Sequence, residues 1–369
     1  MPARSTVGPC PAPAVSVIIP VYNDSRNLEK CLVALGATAP SDTEIVVVDD
    51  GSIDDPVSVA ARAGVRLVRL TPNSGPAAAR NLGARHVGGE ILLFIDADVL
   101  VQSGIVERVA AVFAADPDLA AVFGSYDAQP RAAGLVSRYR NLLHHFVHQH
   151  GNPDASTFWA GCGAVRRAPF EALGGFDEQG YPRAIEDIEL GYRLRAAGHR
   201  IRLDKQLQVT HLKRWTFWSV LKTDVAHRAW PWSRLILERA TAPDELNLKM
   251  DQRLSVALVL FATLCVVLVP VQRTLLAPAL AALLGVAALN HRLYTFFYRQ
   301  HGLAFAAACI PLHFLYYLYS GVTYLVAWFS VKLWDRGAVA RHSRPPTSLP
   351  DVGRPAGITS RWRSKAGLG

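Results

Sequence analysis

The stretch Ile91-Leu92-Leu93-Phe94-Ile95-Asp96-Ala97-Asp98 decides how this chain reads. An unbroken apolar run has the composition of a parallel strand buried on both faces. Two carboxylates then emerge at its carboxyl end, where ligands bind in open α/β sheets. Asp96 and Asp98 stand one residue apart and repel each other unless a cation lies between them. A hard divalent cation, Mn²⁺ or Mg²⁺, bridging to phosphate oxygens meets that need. An acidic pair at a strand end is also a common solvated turn, so the pair takes its meaning from its surroundings.

Upstream, Val15–Tyr22 reads as a buried strand ended by Pro20 and Asn23, and Asp24–Gly36 as a helix. Glu44–Asp50 is a second strand and Val65–Leu70 a short third. Gly75–His86 is a helix entered through Pro76. This alternation of strand and helix predicts a doubly wound, mostly parallel sheet with helices on both faces. Downstream the pattern predicts a helix near 105–115, a strand at Ala120–Gly124 and a helix at Leu135–His150. It continues with a strand at Phe158–Arg166 bent at Gly161–Gly163, a helix at Glu186–Ala197 and a last strand at Arg200–Leu203.

The 369 residues carry a net charge of +9, half of them are hydrophobic, and the mean hydropathy is +0.16. The basic balance fits an anionic substrate or membrane face. No zinc-finger spacing or aromatic ribonucleoprotein-type motif accompanies it, so no nucleic-acid partner is expected. The five cysteines, Cys10, Cys31, Cys162, Cys265 and Cys309, are scattered and form neither a disulfide framework nor a CxxC site, which fits a reducing compartment. Residues 1–14 are rich in Pro and Ala, without a signal-peptide core. The first half of the chain is therefore expected in the cytoplasm.

The composition changes after about residue 213. Arg214–Arg239 interleaves Trp215, Phe217, Trp218, Trp230 and Trp232 with bases, as an interfacial helix pair on a lipid surface does. A helix pair using its aromatics as core is the other reading. Leu254–Val271, Leu275–Leu289 and Leu303–Val331 are apolar with little amphipathic period, and read as transmembrane or re-entrant helices. Keeping the basic tail inside requires an even number of crossings. The expected organisation is a disordered N-terminus (1–14), a catalytic domain (15–213), interfacial helices (214–250), two to three membrane helices (251–334) and a basic disordered tail (335–369).

Further groups join the acidic pair. Pro20 and Tyr22 at the end of the first strand offer a slot for a flat base. Asp49 and Asp50, followed by Gly51, offer carboxylates to base and ribose. Arg80 lies on a helix whose N-terminus suits an anion. Glu186 and Asp187 open a later helix, where acids also serve the helix dipole.

In order, VSVIIPVYN, VVVDDGSIDD, NSGPAAARNLG, FIDADV, AGCGAVRR, GGFDE and EDIELGYRLRAAG resemble the family 2 glycosyltransferases, over roughly residues 15 to 215. The resemblance implies a GT-A fold and an inverting transfer of a sugar from a nucleotide donor such as a UDP-sugar. Asp50 and Tyr22, with Pro20 and Asp49 beside them, would hold the base. Arg80 would hold the nucleotide or its phosphates, and Asp96 would lie near ribose and metal. Asp98 would bind Mn²⁺ or Mg²⁺, which neutralises the leaving diphosphate. Asp187, with Glu186 as neighbour, would be the general base, its pKa raised by burial or a like charge. Trp159, Gly161 and Cys162 fall where the family lines its acceptor pocket.

His211-Leu212-Lys213-Arg214-Trp215 occupies the place of the QxxRW motif of processive members, with His for Gln. Arg214 and Trp215 would cap the acceptor site, and His211 is a candidate third metal ligand. The expected enzyme is a multi-pass protein of the bacterial inner membrane with its catalytic domain cytoplasmic. It would act on a lipid-linked or membrane-proximal acceptor in cell-envelope glycan or glycolipid synthesis. A polyprenyl-phosphate monoglycosyltransferase, a processive polysaccharide synthase and a non-catalytic membrane scaffold are the alternatives.

Overall fold

The structure is a computed structural model that describes residues 14–239 and 243–334; the expectations for residues 1–13 and 335–369 lie outside the described residues. Strand β1 (Val15–Val21) leads to helix α1 (Ser25–Gly36), β2 (Glu44–Asp49), α2 (Pro56–Arg62), β3 (Arg66–Arg69), α3 (Pro76–Arg85) and β4 (Ile91–Ile95). Then come β5 (Val99–Val101), α4 (Ile105–Ala115), β6 (Leu119–Tyr126), α5 (Leu135–Gln149), β7 (Asp154–Ala155), β8 (Cys162–Arg166) and α6 (Arg167–Ala172). Helix α7 (Glu186–Ala196) and strand β9 (Arg200–His211) complete the sheet layer.

The strands form one sheet in the order β3-β2-β1-β4-β8-β6-β9-β5, with β7 beside β9. β1, β2, β3 and β4 pair in parallel, as their apolar runs require. The period of two in β1 divides the core. Val17, Ile19 and Val21 face Leu28, Leu32 and Leu35 of α1 together with α4. Ile18 faces the alanines of α3 and Leu190 and Leu194 of α7. A Cβ on Gly83 would lie 2.4 Å from Ile18 Cγ2, so α3 rests almost backbone-to-strand on the sheet.

The second half of the sheet is mixed rather than parallel. β8 runs antiparallel to both β4 and β6, and β5 antiparallel to β9. The strand expected at 158–166 begins only at Cys162, which leaves Trp159 on a loop. The last strand does not stop at Leu203 but continues to His211, crossing from β6 to β5. Asp204-Lys205-Gln206 interrupts the apolar pattern there and hid the continuation. β5 and α2 were not read from sequence; β5 has only three residues, although Asp55 caps α2 by accepting from Ser58 N at 3.0 Å.

Beyond the sheet, α8 (Phe217–Asp224) begins at a capping box between Thr216 and Ser219 and passes through a π-turn, Val225–Ala229, into α9 (Trp230–Arg239). The aromatics of this stretch divide. Trp218 is 73% exposed, whereas Trp232 packs beside Tyr192 and donates from Nε1 to its hydroxyl at 3.1 Å. Helices α10 (Met250–Leu268), α11 (Leu276–Leu289) and α12 (His291–Trp334) follow, α12 being bent at Gly302, where φ is 80°. Tyr317 donates to Asn290 Oδ1 and Asn290 donates to Ser255 Oγ, a polar pin inside this trio. α10 and α12 are long and apolar enough to cross a membrane, and α11 is shorter. Phe261, Leu264, Leu280, Leu284, Val326 and Phe329 all face outward.

The close approach of α3 makes a test of the packing. G83V forces the strand and helix apart and is expected to destabilise the full chain by about 1–3 kcal/mol. G36A, whose Cβ meets nothing within 4 Å, should leave stability unchanged or slightly raised. Urea unfolding of both variants in detergent checks the contrast.

Candidate active site

The carboxyl ends of β1, β2 and β4 meet in one crevice. Asp50, which follows β2, is pinned from several sides. Its Oδ1 accepts from Ser74 N at 2.8 Å, and its Oδ2 accepts from Gly75 N at 2.9 Å and Asn73 Nδ2 at 2.8 Å. Asp50 thus fixes the loop that enters α3. Burial pushes its carboxyl above the usual range, with those backbone donors pulling it back. Asn23, at φ 54°, joins the β1 loop to the β2 loop: its Oδ1 accepts from Ile53 N and its own N donates to Ser52 Oγ.

Arg80 projects from α3 beneath this crevice and is nearly wholly buried. Its Nη1 donates to Glu186 Oε1 at 2.5 Å and its Nη2 to Asp96 Oδ1 at 2.7 Å. Helix α7 therefore starts over the end of β4, and Asp187 follows Glu186 into the site. Burial pushes the Glu186 carboxyl up; Arg80 pulls it back and Asp187 adds to the rise. Burial likewise raises Asp96 against the pull of Arg80, with Asp98 adding to the rise. Ile185, just before the two acids, has φ 57°, a conformation costly for a β-branched residue by about 1–3 kcal/mol.

β-Pairing brings in the remaining partners. Asp96 N donates to Gly161 O at 3.2 Å, and Leu212 N to Asp98 O at 2.8 Å. The second bond sets His211 beside Asp98, with Nε2 3.6 Å from Oδ2. His211 stacks on Tyr126 at 4.2 Å between centroids. Burial raises the Asp98 carboxyl, but His211 and Lys213 outweigh it and hold the group below its usual range.

Two cavities open here. The smaller, of about 220 Å³, is lined by Pro20, Tyr22, Asp50, Arg80, Asp96, Asp98 and Lys213. The larger, of about 770 Å³, is lined by Arg80, Asp96, Trp159, Gly161, Glu186 and Asp187 and extends between the sheet domain and helices α8, α9, α10 and α12. Pro76, Arg80, Asp96 and Lys213 belong to both walls.

Most of the expected site residues therefore converge, and several do not. Asp49 lines neither cavity; it accepts from Ser52 N and pairs with Arg69 at 3.0 Å, because its side chain points along the sheet edge toward β3. Cys162 is wholly buried in the core opposite Ile95 and does not reach the acceptor side. Arg214 and Trp215 also line neither cavity. Just beyond β9 it is Lys213 that lines both cavities, where Arg214 was expected. Arg80 is engaged by two carboxylates rather than presented to an anion.

Among the described residues no three of His, Cys, Asp and Glu are gathered as a metal cluster. Arg80 holds Asp96, so the trio Asp96, Asp98 and His211 is not closed. The donors nevertheless suit a hard divalent ion. Asp98 and His211 are separated by more than a hydrogen bond, and the acidic pair lines the same cavity as Asp50. Lys213, Tyr126 and Arg183 were missed in the sequence. Only the two-residue alternation from His211 pointed to Lys213.

This sheet, with its crevice between β1, β2 and β4 and its acids at the end of β4, is a GT-A domain. Residues 16–174 match the family described as Glycosyl transferase family 2. Validoxylamine A glucosyltransferase of Streptomyces hygroscopicus subsp. limoneus is 32% identical over 238 residues, 53% of this chain and 52% of that protein. Pre-mycofactocin glycosyltransferase of Mycobacterium tuberculosis (strain ATCC 25618 / H37Rv) is 29% identical over 208 residues, 53% of this chain and 42% of that protein. The chain thus spans about half the length of the curated relatives it matches. A mannosyltransferase from Pyrobaculum calidifontis, solved with GDP-Man and Mn²⁺, shares the fold: the TM-score is 0.54 at 24% identity, over 89% of each chain.

The shared guanidinium makes a stability prediction. R80M strands two buried carboxylates and is expected to destabilise the full chain by about 3–5 kcal/mol. E186Q in the same background removes one of the stranded charges and should recover part of the loss. Thermal unfolding of the single and double variants decides it.

Proposed function

We propose that this chain is an inverting glycosyltransferase. It moves a sugar from a nucleoside-diphosphate donor, for which a UDP-sugar is the first choice, to a hydroxyl of a lipid-linked or membrane-proximal acceptor. The observation that carries this reading is the wall common to the two cavities. Tyr22, Asp50 and Asp98 lie on the small side, Trp159 and Asp187 on the large side, and Arg80 and Asp96 between them. A donor on the small side places its anomeric carbon at that wall. A hydroxyl approaching from the large side attacks away from the leaving diphosphate, which is the geometry of inversion. The relatives' names, a glucosyltransferase and a glycosyltransferase, support transfer of a sugar.

In this reading Tyr22 covers the base, and Asp50 meets base or ribose while holding the Asn73–Gly75 loop. Asp98, with Asp96 and His211, would hold Mn²⁺ or Mg²⁺. When bound, such an ion neutralises the developing charge on the leaving diphosphate. Lys213 adds a positive charge on the same side. Asp187 accepts the acceptor's proton. Ala160 N donates to its Oδ2 at 3.1 Å and Ile188 N to its Oδ1 at 2.8 Å, so the carboxylate is held in place before substrate arrives. Trp159, packed edge-on against Tyr126 at 5.0 Å, forms the platform for the acceptor.

The apolar outward faces of α10 to α12 support a membrane seat, with the sheet domain at the cytoplasmic side. The exposed Trp218 and Phe217 of α8 suit the interface. The catalytic domain ends near residue 213 in this scheme, the interfacial helices near 250 and the membrane helices near 334.

Three outcomes follow from these roles. D187N is expected to lower turnover on the order of 10²–10⁴-fold with donor affinity nearly intact, since only the proton acceptor is lost. Turnover within a few-fold of the parent would reject Asp187 as base and favour a phosphate acceptor, which is already an anion. D98A, and separately EDTA, should abolish donor turnover and weaken nucleoside-diphosphate binding measured by calorimetry. The full chain should resist alkaline carbonate extraction from membranes and require detergent; release by carbonate alone would refute the membrane seat.

A further inference from the structure

The large cavity is more than an extension of the transfer site. At its far side, the π-turn after α8 brings Arg228 into the wall. None of the five π-turn residues is buried. Turns of this kind widen a helix and recur at functional sites. Arg228 makes no hydrogen bond or ion pair with any described residue. Its neighbours explain why. Asp224, one turn earlier, is engaged elsewhere: Oδ1 accepts from Arg140 Nη2 at 2.6 Å and Oδ2 from Tyr319 Oη at 2.5 Å. Asp187, whose field also reaches Arg228, is held by backbone donors.

Arg228 is exposed to the cavity rather than packed into the fold, and the like charge of Arg140 lies within reach of it. Two basic rings in the same wall, His144 and His148, offer an anion no charge. Burial holds His144 well below its usual range and His148 down to about 4, so both are neutral. A guanidinium left unpaired in a cavity of about 770 Å³, beside a second one, calls for an anion from outside. From this corner the wall turns apolar. Val256 and Leu260 of α10 and Tyr324 and Leu325 of α12 line it. A ligand that fills both parts has an anionic head and a hydrocarbon chain.

We propose that Arg228, with Arg140 beside it, holds the phosphoryl group of a phosphorylated lipid acceptor whose chain leaves between α10 and α12. The proposal rests on the transferase reading and deepens it: the phosphoryl group is the acceptor's handle, and a hydroxyl elsewhere on the acceptor meets Asp187. A free phosphate would meet the same guanidinium, but it has no use for the apolar part of the wall.

The test uses the full chain in detergent micelles. Farnesyl phosphate serves as probe, farnesol as its uncharged counterpart and inorganic phosphate as the free anion. Quenching of tryptophan fluorescence reports binding, because Trp159 and Trp232 line the cavity. R228Q is expected to weaken farnesyl phosphate binding on the order of tenfold or more. R228K, which keeps the charge but not the planar fork, should retain an intermediate affinity. UDP binding with Mn²⁺, followed by calorimetry, should be the same in parent and both variants.

Equal binding of farnesyl phosphate by parent and R228Q would overturn the proposal, and so would farnesol binding as tightly as farnesyl phosphate. Inorganic phosphate binding as tightly as farnesyl phosphate, with the same dependence on Arg228, would overturn the lipid assignment. Failure of the parent to bind UDP while the farnesyl phosphate result stands would count against the transferase reading and not against the anion site.

Discussion

One buried guanidinium organises the centre of this molecule. Arg80 reaches from α3 and is shared by Asp96 at the end of β4 and Glu186 at the start of α7. These groups are far apart in sequence, and each is costly to bury alone. A buried charge persists only where partners meet it with good geometry. Satisfying Arg80 therefore fixes the angle of α7 over the sheet. Asp187 then faces the large cavity while Asp96 remains beside Asp98. Burial pushes the carboxyls of Asp96 and Glu186 up, Arg80 pulls both back, and their acidic neighbours Asp98 and Asp187 add to the rise.

The mixed half of the sheet supplies what a purely parallel sheet would not. An antiparallel β8 beside β4 puts Gly161 against Asp96 and hangs Trp159 on the loop before it. A long β9, returning across the sheet, delivers His211 to Asp98 and Lys213 to the crevice. The acceptor-side Trp159 and Asp187 come from the loop before β8 and from α7, the donor-side Tyr22, Asp50 and Asp98 from the ends of β1, β2 and β4, and they share a wall without sharing an element.

A second buried carboxylate does for the helices what Arg80 does for the sheet. Asp224 of α8 is bonded by Arg140 from α5 and by Tyr319 from α12. It ties the sheet domain, the helix leaving it and the bent apolar helix into one wall. Asp224 bonds to these two and not to Arg228, which one turn on faces the cavity. The two corners of the large cavity thus have different characters. One is built around a hydrogen-bonded carboxylate, Asp187, and the other around an unpaired guanidinium.

The sequence by itself determined the parallel strands β1, β2 and β4, since runs such as Ile91–Ile95 are apolar on both faces and allow little else. It determined the polar ends of those strands, and with them Pro20, Tyr22, Asp50, Asp96 and Asp98 as neighbours, because a parallel sheet gathers its carboxyl ends on one edge. The apolar helices after residue 250 and the acids opening α7 were equally legible, being local patterns. Partner choice between distant side chains was not. Arg80 reads as an anion ligand until Asp96 and Glu186 are seen to claim it. Asp49 and Cys162 read as site residues until β-register turns them toward Arg69 and into the core. Arg214 yields its place to Lys213, because the pairing of β9 with β5 sets which side chains just beyond it meet the crevice. The anion corner at Arg228 depends on Asp224 already being taken by two other helices. Periodicity is written in the nearest few residues, whereas the pairing of buried charges is settled only when the whole chain has packed.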